Sequence, residues 1–166
     1  MTNCDPTEIV LDLDWHIAED VEEKLLKHIP NAKLVSNWLK TTLEQVQYEG
    51  ILEVGIRVIG SEESYSLNQQ YRNQAKATNV LSFESELPEY IPSNFIGDLA
   101  ICAPIVIEEA ETQNKLAHDH WAHLCIHGLL HLLGYDHITE SDAEKMESAE
   151  IKILAQLGID DPYQIR

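Results

Sequence analysis

Three histidines and one glycine constrain this chain more than anything else in it. His127, His131 and His137 stand at offsets of zero, four and ten, with Gly134 between the second and the third. From about Ala117, apolar and aromatic residues recur at helical spacing: Trp121, Leu124, Cys125, Leu129, Leu132 and Leu133. The first two histidines therefore ride on a helix, share a face, and sit roughly 6 Å apart along its axis. Gly134 predicts the helix end, because glycine takes the left-handed cap conformation without a Cβ penalty. Reversal there swings His137 back toward the pair. Three imidazoles around one point leave the fourth corner of a tetrahedral zinc for water, the open geometry of catalytic sites. A lone histidine on a half-buried helix is ordinary; three at these offsets around a helix-ending glycine point to a metal.

The spacing HxxxHxxGxxH resembles that of the metzincin zinc peptidases. Those carry a glutamate after the first histidine, whereas this chain has Gly128. The general base of peptide hydrolysis is missing, so the same eleven residues support a metal and argue against a peptidase.

At 166 residues the chain is expected to form one domain, residues 1–166, with a core that needs no staple. No stretch approaches the roughly 20 apolar residues of a membrane span, and the first residues lack the pattern of a secretory signal. Cys4, Cys102 and Cys125 are an odd set without CxxC spacing, and the last two lie in apolar runs. Free buried thiols and a cytoplasmic location are the expectation. Eleven basic against 29 acidic side chains give a formal charge of −18, which argues against a wide electrostatic grip on nucleic acid. The acids crowd residues 1–30 and 136–161; residues 51–83 balance Glu53, Glu62 and Glu63 against Arg57, Arg72 and Lys76.

Residues 8–14 alternate enough to be a first strand, with Asp12 and Asp14 on its solvated face. An irregular acidic stretch follows, with a short helical turn around residues 19–27. Asn31 is placed to cap a helix whose stripe is Leu34, Val35, Trp38, Leu39, Leu43 and Val46, with Trp38 in the core. Residues 52–59 read as a second strand, and Ser61 opens a helix over 62–71. Residues 79–83 form a third strand, and the acidic, proline-containing loop 84–94 has the composition of a flexible flap. Residues 96–102 form a fourth strand, and Pro104 starts the next helix. The histidine helix follows. A last helix from Ser141 to about Leu157 turns Met146, Ala149, Ile153, Leu154 and Leu157 inward, with Gly158 as its stop. The order β-α-β-α-β-β-α-α-α predicts an α+β fold: a four-stranded mixed sheet with about five helices packed mainly on one face.

Four blocks taken in order, Leu67-Asn68-Gln69-Gln70-Tyr71-Arg72, Thr78-Asn79-Val80-Leu81-Ser82-Phe83, Ile96-Gly97-Asp98-Leu99-Ala100-Ile101 and His127 through His137, are together similar to the bacterial YbeY family of metal-dependent endoribonucleases. Met146 and Glu150 fall where that family has its M-x-x-x-E. The likeness runs from about residue 51 to 157; residues 1–50 match only in layout. The resemblance implies a zincin-like fold and one zinc per chain, held by the residues matching His127, His131 and His137. It also implies hydrolysis of single-stranded RNA, in maturation of the 16S rRNA 3′ end and in ribosome quality control, in the cytoplasm. The implied partners are ribosomal RNA and the ribosome or its associated proteins, with neither membrane nor DNA expected. The arginine of the N-x-x-Y-R block is functionally important in that family, which makes Arg72 the catalytic candidate. Where many relatives have a proline after the third-strand run, this chain has Glu84.

Charge chemistry gives Arg72 a role, since a guanidinium stabilises the negative charge that builds on a phosphodiester under attack. Its plain alternative is a surface arginine closing a helix. Asp136 is read either as orienting a histidine through its other ring nitrogen or as a cap. His123, one turn before His127, is read as a supporting group, a substrate contact or a partly buried bystander. His118 and His120 are read as surface residues, and Asn68 as a cap or a polar surface residue. Gly97 permits either ligand approach or a bulge, Asp98 beside it is open to the same two readings, and Ser82 faces either the groove or solvent. Two other functions remain against the endoribonuclease: a metalloendopeptidase, and a non-enzymatic ribosome-associated zinc protein.

Overall fold

The computed structural model describes residues 8–164. The alternation at the start of the chain forms β1 (Ile9–Ile17), longer than expected because Trp15 and Ile17 continue its inward series. A short 3-10 turn covers Glu23–His28. Then α1 (Ala32–Gln45) begins where Asn31 Oδ1 accepts the Leu34 N–H at 2.9 Å, and it buries Val35, Trp38, Leu39 and Leu43. The chain continues through β2 (Gly50–Ile59), α2 (Ser61–Arg72), β3 (Val80–Glu84), β4 (Phe95–Cys102), α3 (Ala103–Thr112), α4 (Ala117–Leu132) and α5 (Glu140–Gln156). Ser61 is the first residue of α2 and not its cap. Gly60 takes the cap position, and its N–H donates to the Asp20 carboxylate at 3.2 Å. The cap of α5 is Thr139, whose hydroxyl accepts the Asp142 N–H.

The sheet order is β1-β2-β4-β3, with β1, β2 and β4 parallel and β3 antiparallel at one edge. Its main face carries Leu11, Leu13 and Trp15, then Val54, Ile56 and Val58, then Leu99 and Ile101. These pack against α1, α4 and α5 through Leu39, Trp121, Cys125, Leu129, Met146 and Ile153. The other face is not bare. Ile59, Leu81, Ala100 and Cys102 form a smaller cluster with Leu67 of α2 and Ile105 of α3. An inner strand such as β4, apolar on both sides, requires cover on both sides. Cys102 and Cys125 are free and buried. Among the described residues, no helix is long and apolar enough to cross a membrane.

Two glycines set how closely the layers approach. Between Glu53–Phe95 and Val54–Gly97 the β2–β4 register slips, so Ile96 is an extra residue, and Gly97 sits at φ +146°. A Cβ at Gly97 would lie 2.3 Å from the Phe83 carbonyl oxygen and 2.9 Å from Leu132 Cδ2. Gly97 is therefore a bulge that lets β3 and α4 close in. Gly128, on α4, rests against the sheet: a Cβ there would fall 2.7 Å from Leu99 Cδ1 and 2.8 Å from Cδ2.

Asn68 departs from expectation: it is only 4% exposed. Its Nδ2 donates to the Lys76 carbonyl at 2.9 Å, while the Ser64 hydroxyl both donates to the Thr78 carbonyl and accepts the Thr78 N–H. The buried side of α2 thus pins the connector that feeds β3.

Because Leu99 is itself 1% exposed, it cannot yield to a methyl group without moving its neighbours. Gly128→Ala is expected to lower unfolding stability by about 1–2 kcal/mol despite alanine's better helix propensity, measured as a lower urea midpoint at unchanged slope. Gly128→Glu is expected not to fold, and so to yield no peptidase.

Candidate metal centre

The last turn of α4 closes as the sequence requires. Gly134, at φ +104°, follows the final turn, its N–H bonds the His131 carbonyl, and the Tyr135 N–H reaches back to the Leu130 carbonyl at 3.0 Å. This paired reversal turns the chain over the helix end. Asp136 accepts the Ile138 N–H at 3.2 Å, which holds the returning loop, so its role is the local turn. His127, His131 and His137 come together as the spacing predicts. Their ring centroids are 4.7, 5.1 and 4.6 Å apart, and one nitrogen from each lies within 4.8 Å of the others.

The residue that orders this cluster stands on α5. Glu150 is 0% exposed. One of its oxygens lies 2.5 Å from His127 Nδ1; the other is 3.0 Å from His123 Nε2 and accepts the Tyr163 hydroxyl. Burial alone would raise this carboxyl, but the hydrogen bonds from His123, His127 and Tyr163 outweigh it and hold it at about 2. An ionised carboxylate only accepts hydrogen bonds, so His127 donates from Nδ1, and Nε2 is the nitrogen left to meet a metal. His123 Nε2 is committed to the same carboxylate. Burial, and then the neighbouring His127 and His137, push His131 below its ordinary 6.5, which keeps it neutral and able to ligate at neutral pH.

The donor set fits a metal ion. Three imidazoles, one of them held by a carboxylate on its far nitrogen, suit a borderline divalent ion and not the oxygen-seeking Mg²⁺ or Ca²⁺.

One groove is lined by His131 together with Ser82, Phe83, Glu84, Tyr71 and Arg72. Ser82 thus faces the groove. Glu84 ends β3 opposite Gly97. Arg72, at the end of α2, reaches round the sheet edge. Its Nη2 donates to the Ser82 carbonyl at 2.7 Å, and its guanidinium carbon lies 5.7 Å from the Phe83 ring centroid. That carbonyl belongs to the edge strand, and a guanidinium has donors left after satisfying it.

Other candidates fall elsewhere. Asp98 points from the opposite sheet face, over Gly55 and near Asp14, where burial and then the Asp14 charge raise its carboxyl above the ordinary range. His118 is exposed as expected. His120 is not: it is 4% exposed, and its Nε2 lies 3.1 Å from Glu109 Oε1. Glu109 also accepts from Asn79 Nδ2, so His120 helps tie α3 and α4 to the start of β3. Glu150 had two signals in the sequence: its place in the M-x-x-x-E with Met146, and a carboxylate on the inward stripe of α5 with Met146 and Ile153, where an acid requires partners.

An α+β fold with three convergent imidazoles at the edge of a groove has the donor set of a metal-dependent enzyme. Comparison with known proteins narrows this. The sequence model of the family described as Endoribonuclease YbeY matches residues 16–158. Endoribonuclease YbeY of Alteromonas mediterranea is 50% identical over 153 residues, covering 91% of this chain and 95% of the relative. That of Idiomarina loihiensis is 45% identical over 155 residues, covering 93% and 92%. The solution structure of TM1509 from Thermotoga maritima is similar in fold, with a TM-score of 0.55 at 23% identity, covering 92% of this chain and 99% of that one. The chain belongs to the endoribonuclease YbeY family.

Replacing the buried carboxylate should loosen the centre without removing a ligand. Glu150→Gln is expected to weaken zinc binding by about 10–100-fold, read by competition with a chromogenic chelator. An unchanged zinc affinity would show that Glu150 does not order His127.

Proposed function

We propose that this YbeY-family endoribonuclease is zinc-dependent and cuts single-stranded RNA in the cytoplasm. Its work is maturation of ribosomal RNA, including the 16S 3′ end, and ribosome quality control, with the ribosome or its associated proteins as partners. One zinc per chain is held by His127, His131 and His137. The observation that carries this reading is the meeting of those three imidazoles at the end of the groove that Arg72 lines.

When bound, the ion supplies Lewis acidity that activates water near neutral pH and polarises a phosphoryl oxygen. The chain's own groups do the rest. Glu150 fixes the ring and tautomer of His127. Arg72, anchored on the Ser82 carbonyl and over Phe83, turns its remaining N–H groups toward the non-bridging oxygens of a phosphodiester in the groove, where charge grows during attack. No carboxylate follows the first histidine, because Gly128 is occupied by contact with Leu99. This weighs against the peptidase reading, whose lost proton transfer is worth about 10²–10⁴-fold. His137 is exposed and the groove reaches His131, so the centre is accessible, which a purely structural zinc site has no need to be.

Purified protein should hold one zinc per chain, cleave single-stranded RNA and leave casein intact, with zinc and cleavage both lost in His131→Ala. Arg72→Ala should keep its zinc and lose about 10²–10³-fold in kcat/KM. Casein cleavage with RNA left intact would favour the peptidase, and normal RNA cleavage by the Arg72 variant would remove that residue from the chemistry.

A further inference from the structure

We propose that Tyr71, braced by Phe83, is a stacking platform for one unpaired base of the RNA at the outer end of the groove. The proposal rests on the reading of that groove as an RNA-cleaving site. Tyr71 sits in the last turn of α2 with 52% of its surface exposed, an unusual cost for a ring that could pack inward. Its centroid is 5.2 Å from that of Phe83 at an interplanar angle of 75°, an edge-to-face contact that fixes its orientation. The next residue, Arg72, lies over Phe83 and is bonded to the Ser82 carbonyl. The two rings and the guanidinium are thus held in place beforehand, and all line the groove that ends at His131.

Charge explains why such a platform is needed. With 29 acids against 11 bases, and Glu84 and Glu86 in the groove wall beside Arg72, neutralising phosphates cannot supply the grip. Stacking is indifferent to charge and tolerant of sequence. It also selects single strands, because the bases of a duplex already cover one another's faces. One exposed ring beside one guanidinium fits a single splayed nucleotide next to the phosphodiester at the metal.

The test uses the zinc-loaded full chain and a single-stranded RNA of about ten nucleotides, intact or with one abasic nucleotide moved along it. Tyr71→Ala should keep its zinc and raise KM by about 10–100-fold, with kcat nearly unchanged, while Tyr71→Phe and Tyr71→Trp should behave as wild type. At one register the abasic RNA should cost the wild type the same factor, and Tyr71→Ala should be insensitive to that change. Should the alanine variant be too unstable to assay, Tyr71→Leu, which keeps apolar bulk against Phe83 but offers no ring, should give the same result. Wild-type KM in these variants, or abasic penalties that simply add to theirs, would overturn the platform while leaving RNA cleavage standing. Failure of the zinc-loaded wild type to cut RNA at all would overturn the underlying reading and the platform with it.

Discussion

The contact between Gly128 and Leu99 is what the rest of the structure depends on. A helix can lie this close to a sheet only where it has no side chain to interpose, and here the missing side chain falls between His127 and His131, one turn on. With α4 seated there, Leu132 meets the Gly97 bulge, and the helix ends beside β3. The reversal at Gly134 then has one direction in which to deliver His137. The same contact explains the chemistry that is absent, since the position at which zinc peptidases carry their base is consumed by packing.

The centre is stiffened from behind by a group with no access to solvent. Glu150 is costly to bury and stays ionised only because three donors converge on it, one of them from Tyr163 near the end of the described chain. In front, the groove has one guanidinium, the Tyr71 and Phe83 rings and two acids, Glu84 and Glu86. On the proposed reading, a strongly acidic protein meets an acidic polymer at a few points, namely an ion, an arginine and aromatic faces, and not by spreading lysines over a surface.

Much of this was legible in the sequence, for physical reasons that differ by element. The histidine offsets and Gly134 specify a local geometry almost completely, because helix periodicity and the glycine cap act over a few residues. The strands and most helix limits followed from alternation and caps such as Asn31. Contacts between distant segments were not legible. That Asn68 turns inward to hold Lys76, that His120 is buried against Glu109, and that Glu150 on α5 faces His127 on α4 depend on how layers stack, which no window of sequence encodes. Residue 128 shows both sides: its glycine was visible as a missing base, but its reason, Leu99, lies 29 residues away in the chain and on another layer.

X-ray absorption of the zinc-loaded protein tests the central claim most directly. Three imidazole nitrogens at about 2.0–2.1 Å with one further oxygen that is not from the protein is the result this account predicts. Four protein donors, any sulfur ligand, or only two imidazoles would contradict it.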